Sequence, residues 1–161
     1  MLAVVFIALA EFRSSRSDIE ALAQVIVSRT AAAHAMHDAI QQRGNSLKSM
    51  QLAADRSEFN QEQQRFNAYS EQYRTASNQL ANLNLDGQER TIHRELQQLA
   101  VPARNYQERV IALLGKNAAP GEVSLALDKA ALLQAQILGK LGELRQLARE
   151  ETQTVLESLS Q

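Results

Sequence analysis

The stretch IEALAQVIVSRTAAAHAMHDAIQQRGNSLKSMQLAA, residues 19–54, predicts one long amphipathic helix around which the rest of the chain is arranged. Positions separated alternately by three and four residues form a seam with the 3.5-residue period of coiled coils and helical bundles. The members of this seam are Ile19, Leu22, Ile26, Arg29, Ala33, Met36, Ile40, Arg43, Leu47, Met50 and Ala54. Arg29 and Arg43 interrupt the apolar series two heptads apart, where a cation needs a partner, an exit to water or a second subunit.

Composition supports an all-α fold. The 161 residues are 45% hydrophobic, 22% charged and only 4% aromatic, with six glycines and two prolines, so helix formers dominate and β-structure is poorly supplied. The formal charge is −1 with both signs interspersed, which argues against nucleic acid as a partner. The chain has no cysteine, so disulfides, thiolate metal sites and cysteine nucleophiles are excluded.

Three turn signals divide the chain into four helices. Either Asp55 or Ser57 can cap the second helix, and Glu58 lies three residues after Asp55, as in a capping box. Asp86 with Glu89 repeats this pattern at the next turn. The third turn is GKNAAPG, residues 115–121, where glycine or asparagine ends one helix and proline opens the next. The predicted helices span about 2–54, 58–83, 87–116 and 120–160. Because short turns force neighbouring helices antiparallel, we expect an up-down-up-down four-helix bundle with long first and last helices and both termini at one end.

The apolar run MLAVVFIALA at residues 1–10 has about half of the ~20 residues that a membrane-spanning helix needs. It fits a truncated transmembrane helix, a signal-peptide core or a buried helix end. We interpret residues 1–12 as the outer part of a truncated transmembrane helix and residues 13–161 as the bundle domain, although Arg13 and Arg16 favour the cytoplasmic side. The last helix runs to Gln161 without a stop signal, so we expect the natural chain to continue.

The segment MHDAIQQRG at residues 36–44, followed by Leu47 and Met50, then Phe59 and the turn LNLDGQE at residues 83–89, resembles the four-helix-bundle sensor domain of methyl-accepting chemotaxis receptors. The version found in membrane-bound bacterial diguanylate cyclases and phosphodiesterases is the most similar. The resemblance implies a periplasmic sensor, held in the inner membrane by flanking transmembrane helices and usually dimeric, that passes a ligand signal to a cytoplasmic domain.

Polar residues on the predicted seams are the candidate ligand-binding residues. Alignment of the helices by their turns places Arg43, Tyr69, Tyr106 and Gln134 at about the same height. These residues fit a buried hydrogen-bonded layer or a pocket for an acidic or aromatic ligand, or else Arg43 extends to the surface while its stem packs. Arg29 has the same alternatives and, in a dimer, faces its symmetry mate.

Catalytic and metal chemistry find little support. His34 and His37 lie one helical turn apart, but the Glu-x-x-His motifs of carboxylate-bridged di-metal bundles do not occur. We find no phosphate-binding loop and no nucleophile with an adjacent base, and the pair Glu150–Glu151 is interpreted as a solvated helix face. The sequence therefore predicts no enzyme, no catalytic residue, no metal site and no cofactor.

Two classes of function remain open. The first is a ligand-sensing input domain that signals by displacement of the last helix against the first. The second is a structural dimerisation or adaptor bundle without a small-molecule ligand. In either case we expect a homodimer, because four alanines add a small-residue face beside the first seam. They are Ala31, Ala32, Ala35 and Ala39.

Overall fold

The computed structural model describes the backbone of residues 2–159 and the side chains of residues 19–157. Four helices make up this part of the chain, and no strand is found within it. They are α1 (Leu2–Leu52), α2 (Arg56–Ala81), α3 (Gly87–Gly115) and α4 (Pro120–Leu159). The predicted all-α four-helix bundle is confirmed, and each helix end lies within two residues of the predicted one.

The turns use the capping residues that the sequence indicates. Asp55 accepts a hydrogen bond from the backbone of Glu58 at 2.9 Å and begins α2. Asp86 and Glu89 form a complete capping box at the start of α3, with bonds of 2.8 and 2.9 Å. Asn117 adopts the left-handed conformation, φ 52°, after α3. Asparagine tolerates that conformation better than most residues, so it ends the helix at little cost.

Contacts between helices establish the antiparallel order. Arg29 of α1 meets Glu151 of α4, and Lys140 of α4 meets Glu95 of α3. Arg29 also reaches Asn84 in the turn between α2 and α3, so the start of α1 and the end of α4 extend beyond that turn at one end of the bundle. The start of α1 and the end of α4 therefore lie at the same end of the bundle, as the sequence predicts.

The helices pack as two close pairs. α1 lies along α2 and α3 lies along α4, while α1 also touches α4 and, more sparsely, α3. The backbones of α2 and α3 have almost no close approach. Side chains join these two helices near both ends, through Ser77 with His93 at 3.3 Å and through Arg56 with the carbonyl of Gly115 at 3.4 Å. A groove is left between the two ends.

The interpretation of residues 1–12 as part of a membrane span concerns side chains outside the described residues. Within the described part of the chain, no helix combines the length and the apolarity that crossing a bilayer requires.

Candidate functional site

A polar layer divides the hydrophobic core of the bundle into two clusters. The larger cluster contains Met36, Ile40, Leu80 and Leu141, nearer the chain termini. The second contains Leu47, Phe59, Phe66 and Val110, nearer the opposite end.

Between the two clusters, polar side chains from three helices lie at one height along the bundle: Arg43 of α1, Gln107 of α3 and Gln134 of α4. Of the four residues that the sequence predicts at this height, Arg43 and Gln134 lie in the layer, and Gln107 lies there beside them.

Arg43 lies at the centre of this layer. Arg43 is only 7% exposed, so its side chain does not extend to the protein surface. One guanidinium nitrogen donates to Oε1 of Gln107, and the guanidinium carbon lies 5.1 Å from the ring centroid of Phe66. Its Nε is buried without an acceptor. No carboxylate among the described residues makes an ion pair with Arg43, and burial lowers its pKa. An arginine nevertheless stays protonated, so this charge is buried and not neutralised.

The groove between α2 and α3 opens onto this arginine. It has a volume of about 850 Å³, a size typical of ligand pockets. From α2 the lining includes Phe59, Phe66 and Tyr73, each seven residues after the last, which places all three on one face of the helix. Heptad spacing in the sequence predicts such a face, but it does not reveal that the neighbouring helix α3 lies too far away to cover it. The groove itself could therefore not be predicted from the sequence.

The charged residues of the groove are unequally balanced. Glu71 pairs with Arg74, and Glu108 pairs with Arg104 at 2.7 Å, all at exposed positions on the rim. The other basic residues that line the groove are Arg43, Arg56 and Lys116. These three make no ion pair with a described carboxylate. The groove therefore carries a net positive charge.

Tyr73 reports on the polarity of the groove. Burial raises its pKa to about 12, although the positive charge of Arg43 acts in the opposite direction. Its hydroxyl makes no hydrogen bond within the described part of the chain. The Tyr73 hydroxyl is thus a free donor in a desolvated setting next to a cation.

Arg29 has a different environment. It is also 7% exposed, but its guanidinium makes ion pairs with Glu89 at 3.1 Å and Glu151 at 2.9 Å, and it donates to the carbonyl of Asn84. Glu151 was expected on a solvated face, and that interpretation is wrong because its carboxylate is a partner of the buried Arg29. This cluster joins α1, the α2–α3 turn, α3 and α4 at a single point.

Glu89 has two roles in that cluster. Its carboxylate accepts from the backbone of Asp86 in the capping box and faces Arg29. Burial, to 2% exposure, raises its pKa, while the bond from Asp86 and the charge of Arg29 act against the rise. Arg29 is thus compensated within the chain, which gives it a structural explanation that Arg43 lacks.

The other predicted site residues have different positions. Gln134 is half-buried beside Gly44, where a Cβ on the glycine would lie 2.4 Å from its Oε1, so the glycine leaves room for the amide group of Gln134. Tyr69 is half-buried on α2. Tyr106 packs against the second core cluster, and its neighbour Gln107 is the residue that bonds Arg43. Whether any of the five binds a ligand stays a prediction.

The histidines are dispersed. His34 is exposed, His37 lies beside Asp38 at 3.4 Å, and His93 is buried next to Ser77. Among the described residues no group of histidines and carboxylates is arranged to hold a metal ion.

Comparison with known proteins gives a structural likeness only. No protein-family model matches the chain, and no curated protein matches it by sequence. A solved structure described as the periplasmic sensor domain of a sensor histidine kinase matches with a TM-score of 0.77 and 11% sequence identity. The match covers 88% of this chain and 95% of that one. At this identity the likeness shows the fold: the chain is built on the same four-helix architecture as that sensor domain.

Proposed function

We propose that this chain is the extracytoplasmic ligand-sensing input domain of a bacterial transmembrane signalling protein, of the chemoreceptor or diguanylate cyclase type, with the domain in the periplasm. The observation that supports this most is the buried Arg43, which lacks an anionic partner and faces an open groove. Such an arrangement costs stability unless an anion from outside the chain completes it. The architecture it shares with a periplasmic sensor domain is consistent with this use.

Signalling would proceed by displacement of α4 against α1. Two contacts between these helices would have to change, the ion pair of Arg29 with Glu151 and the close approach of Gln134 to Gly44. A ligand shifts such an equilibrium only by its difference in affinity for the two arrangements. A ligand held between the two helix pairs meets that condition, because it contacts both.

A thermal-shift screen tests ligand sensing. The whole chain is heated with amino acids, aliphatic acids and aromatic acids, and we expect one chemical class to raise the melting temperature in proportion to the logarithm of its concentration. A flat response to every compound would refute small-molecule sensing and favour the adaptor function described below.

Helix displacement is measurable because the chain has no native cysteine that would take up a label. Spin labels on Gln24→Cys and Gln153→Cys lie at exposed positions of α1 and α4, and the distance between them reports the relative position of these two helices. We expect their distance to change when a ligand from the screen is bound. Labels on Lys129→Cys and Gln153→Cys, both in α4, provide the control distance, which should stay constant. An unchanged distance between Gln24 and Gln153 with ligand bound would contradict the proposed displacement.

Location is tested in cells of the source organism. Protease added to spheroplasts should remove the domain, detected with an antiserum raised against it, while a cytoplasmic marker protein survives. Protection of the domain until the cells are lysed would contradict a periplasmic position.

A dimerisation or adaptor bundle is the second candidate function. Leu125 and Leu132 lie one heptad apart on α4 and are 63% and 56% exposed, as in a helix face that packs on a partner. The alanine face predicted on α1 is incomplete, because Ala32 and Ala39 belong to the core.

Sedimentation equilibrium of the parent and of Leu125→Gln/Leu132→Gln tests this candidate function. We expect the parent to form a dimer and the two substitutions to weaken it. A parent that stays monomeric at about millimolar concentration would exclude a dimerisation function.

A further inference from the structure

The two arginines on the seam of α1, Arg29 and Arg43, are both buried but have different partners. Arg29 is compensated by two carboxylates of its own chain, Glu89 and Glu151. At the equivalent heptad position Arg43 has an uncharged amide, Gln107, and no carboxylate of the described residues as an ion-pair partner. The Nε atom is buried without an acceptor in both arginines, so the difference lies in the carboxylates. Glutamate has nearly the same size as glutamine, so a carboxylate would fit sterically where Gln107 stands. The cation is therefore kept open to an anion that is not part of the chain.

The walls of the groove indicate what kind of molecule carries that anion. Phe59, Phe66 and Tyr73 line it from α2, and Ala100, Val101 and Ile111 line it from α3. A volume of about 850 Å³ is far larger than a bare inorganic ion requires. The uncharged polar residues Gln63, Asn67, Ser70, Ser77 and Asn78 also line the groove, so its lining is amphipathic. The aromatic and aliphatic part of the lining favours a body that gains from leaving water, with one charged group at its inner end.

We infer that the groove between α2 and α3 binds a monocarboxylate with an aromatic or apolar body, its carboxylate paired with Arg43 and its body lying along the aromatic residues of α2. This inference rests on the proposed sensing function and names the ligand class of the site. A planar carboxylate accepts two parallel hydrogen bonds from a guanidinium. Its single charge matches Arg43, the cation that lies against Phe66 at the floor. The other unpaired cations of the groove, Arg56 and Lys116, lie at its Gly115 end, so a phosphate dianion at the floor would carry a second negative charge away from them.

Isothermal titration calorimetry of the whole chain tests the ligand class. The probes are phenylacetate, indole-3-acetate and hexanoate, each compared with its own primary amide, which keeps the body and removes the charge. Acetate and benzylphosphonate complete the set. We expect the three carboxylates to bind about ten- to a hundredfold more tightly than their amides. Acetate should bind more weakly than the larger acids because it lacks the body, and benzylphosphonate more weakly than phenylacetate because of its second charge.

Two substitutions at the floor test the site. Arg43→Gln removes the cation and should weaken carboxylate binding about ten- to a hundredfold. Gln107→Glu places a carboxylate inside the chain against Arg43, so it should weaken binding by a similar factor while raising the melting temperature. That combination is specific to the inference, because a substitution that merely damages the site does not also stabilise the fold.

Control variants separate the site from general charge effects. Glu62→Gln/Arg65→Gln removes an ion pair of α2 that does not line the groove and leaves the net charge of the chain unchanged, so binding should stay within about twofold. Asn67→Trp fills the groove from an exposed position without touching the floor and should abolish binding. Because the parent has no tryptophan, this variant also reports its own folding by fluorescence.

The outcomes distinguish this inference from the proposed function. If a carboxylate binds equally to the parent, Arg43→Gln and Gln107→Glu, its site lies elsewhere and the inference fails while sensing stands. If the amides or the phosphonate bind as tightly as the carboxylates, or only a different class of compound binds, the ligand class is wrong. If Arg43→Gln does not fold, Gln107→Glu and Asn67→Trp decide the matter, and undiminished binding to both overturns the site.

Discussion

Arg29 and Arg43 occupy equivalent positions of one helix, two heptads apart and equally buried, yet their surroundings differ in kind. Glu89, Glu151 and the carbonyl of Asn84 surround Arg29 at the end of the core. Arg43 has an amide, an aromatic ring and a groove. The difference teaches that a cation on a heptad seam is a structural element where the chain supplies its anions and a candidate binding group where it does not.

The strongest test of this difference replaces each arginine by methionine, which keeps a long apolar stem. Arg29→Met leaves Glu89 buried without its cation and should lower the free energy of unfolding by about 3 kcal/mol. Arg43→Met combined with Gln107→Leu removes a buried charge and its amide partner together and should stay within about 1 kcal/mol of the parent. Denaturation by urea at pH 7 measures both, and equal losses at the two sites would contradict the comparison.

Tyr73 provides a second test, confined to the groove. Its pKa rises from 10.0 to about 12 in the folded state, so between these pH values the unfolded chain loses a proton that the folded chain keeps. Stability therefore falls as pH rises through this window, by about 2 kcal/mol for this group. Tyr73→Phe should remove that part of the loss, with Tyr69→Phe as the control. Parallel stability curves for the parent and Tyr73→Phe from pH 10 to 12 would show that Tyr73 titrates normally.

Gly44 tests the approach of α4 to α1 beside Arg43. A Cβ at this position would overlap the amide of Gln134, while alanine favours a helix over glycine by about 1 kcal/mol. Gly44→Ala alone should therefore be close to neutral, because the two effects oppose each other. In a Gln134→Ala background the same substitution should gain about 0.5–1 kcal/mol. Thermal unfolding of the four proteins in this cycle gives the coupling, and identical effects of Gly44→Ala in both backgrounds would exclude the contact.

Glu89 gives the smallest expected effect and probes the Arg29 cluster. Burial raises its folded-state pKa above the ordinary value of 4.5, so the folded chain holds this proton more tightly than the unfolded chain. The stability of the parent relative to Glu89→Gln should therefore fall as pH rises from about 4.5 through the raised pKa. Unfolding of both proteins at pH 4 and pH 7 measures the difference. A relative stability that instead increases over this range would mean that Arg29 outweighs burial.

The fold was predictable because its signals are local. Asp55, Asp86 with Glu89, and Pro120 each mark a helix start through side chains within three residues of the turn. The seam of α1 follows from spacing alone, and its arginines stand out against an apolar series. Both kinds of signal are independent of what the rest of the chain does.

The candidate site was predictable only in part. Arg43 and Gln134 could be placed at one height by counting from the turns, but Gln107 was missed because the heptad seam of α3 passes through Tyr106. The buried face of a bundle helix is wider than a strict heptad seam, and Gln107, four residues after Ala103 and three before Val110, lies on that face beside Tyr106. The pairing of Arg29 with Glu151 joins residues 122 positions apart and has no local signal. The groove depends on how far α3 stands from α2, a distance that no seam encodes.

The placement of both arginines on one continuous helix has a mechanical consequence. Fourteen residues of α-helix form a rod about 21 Å long, stiff enough that rotation or sliding at one end is delivered nearly undiminished to the other. A molecule that pulls Arg43 toward the groove therefore also pulls Arg29 against Glu151, which belongs to α4. A force on the uncompensated Arg43 would thus be transmitted along α1, and the ion pairs of the compensated Arg29 would resist the resulting displacement.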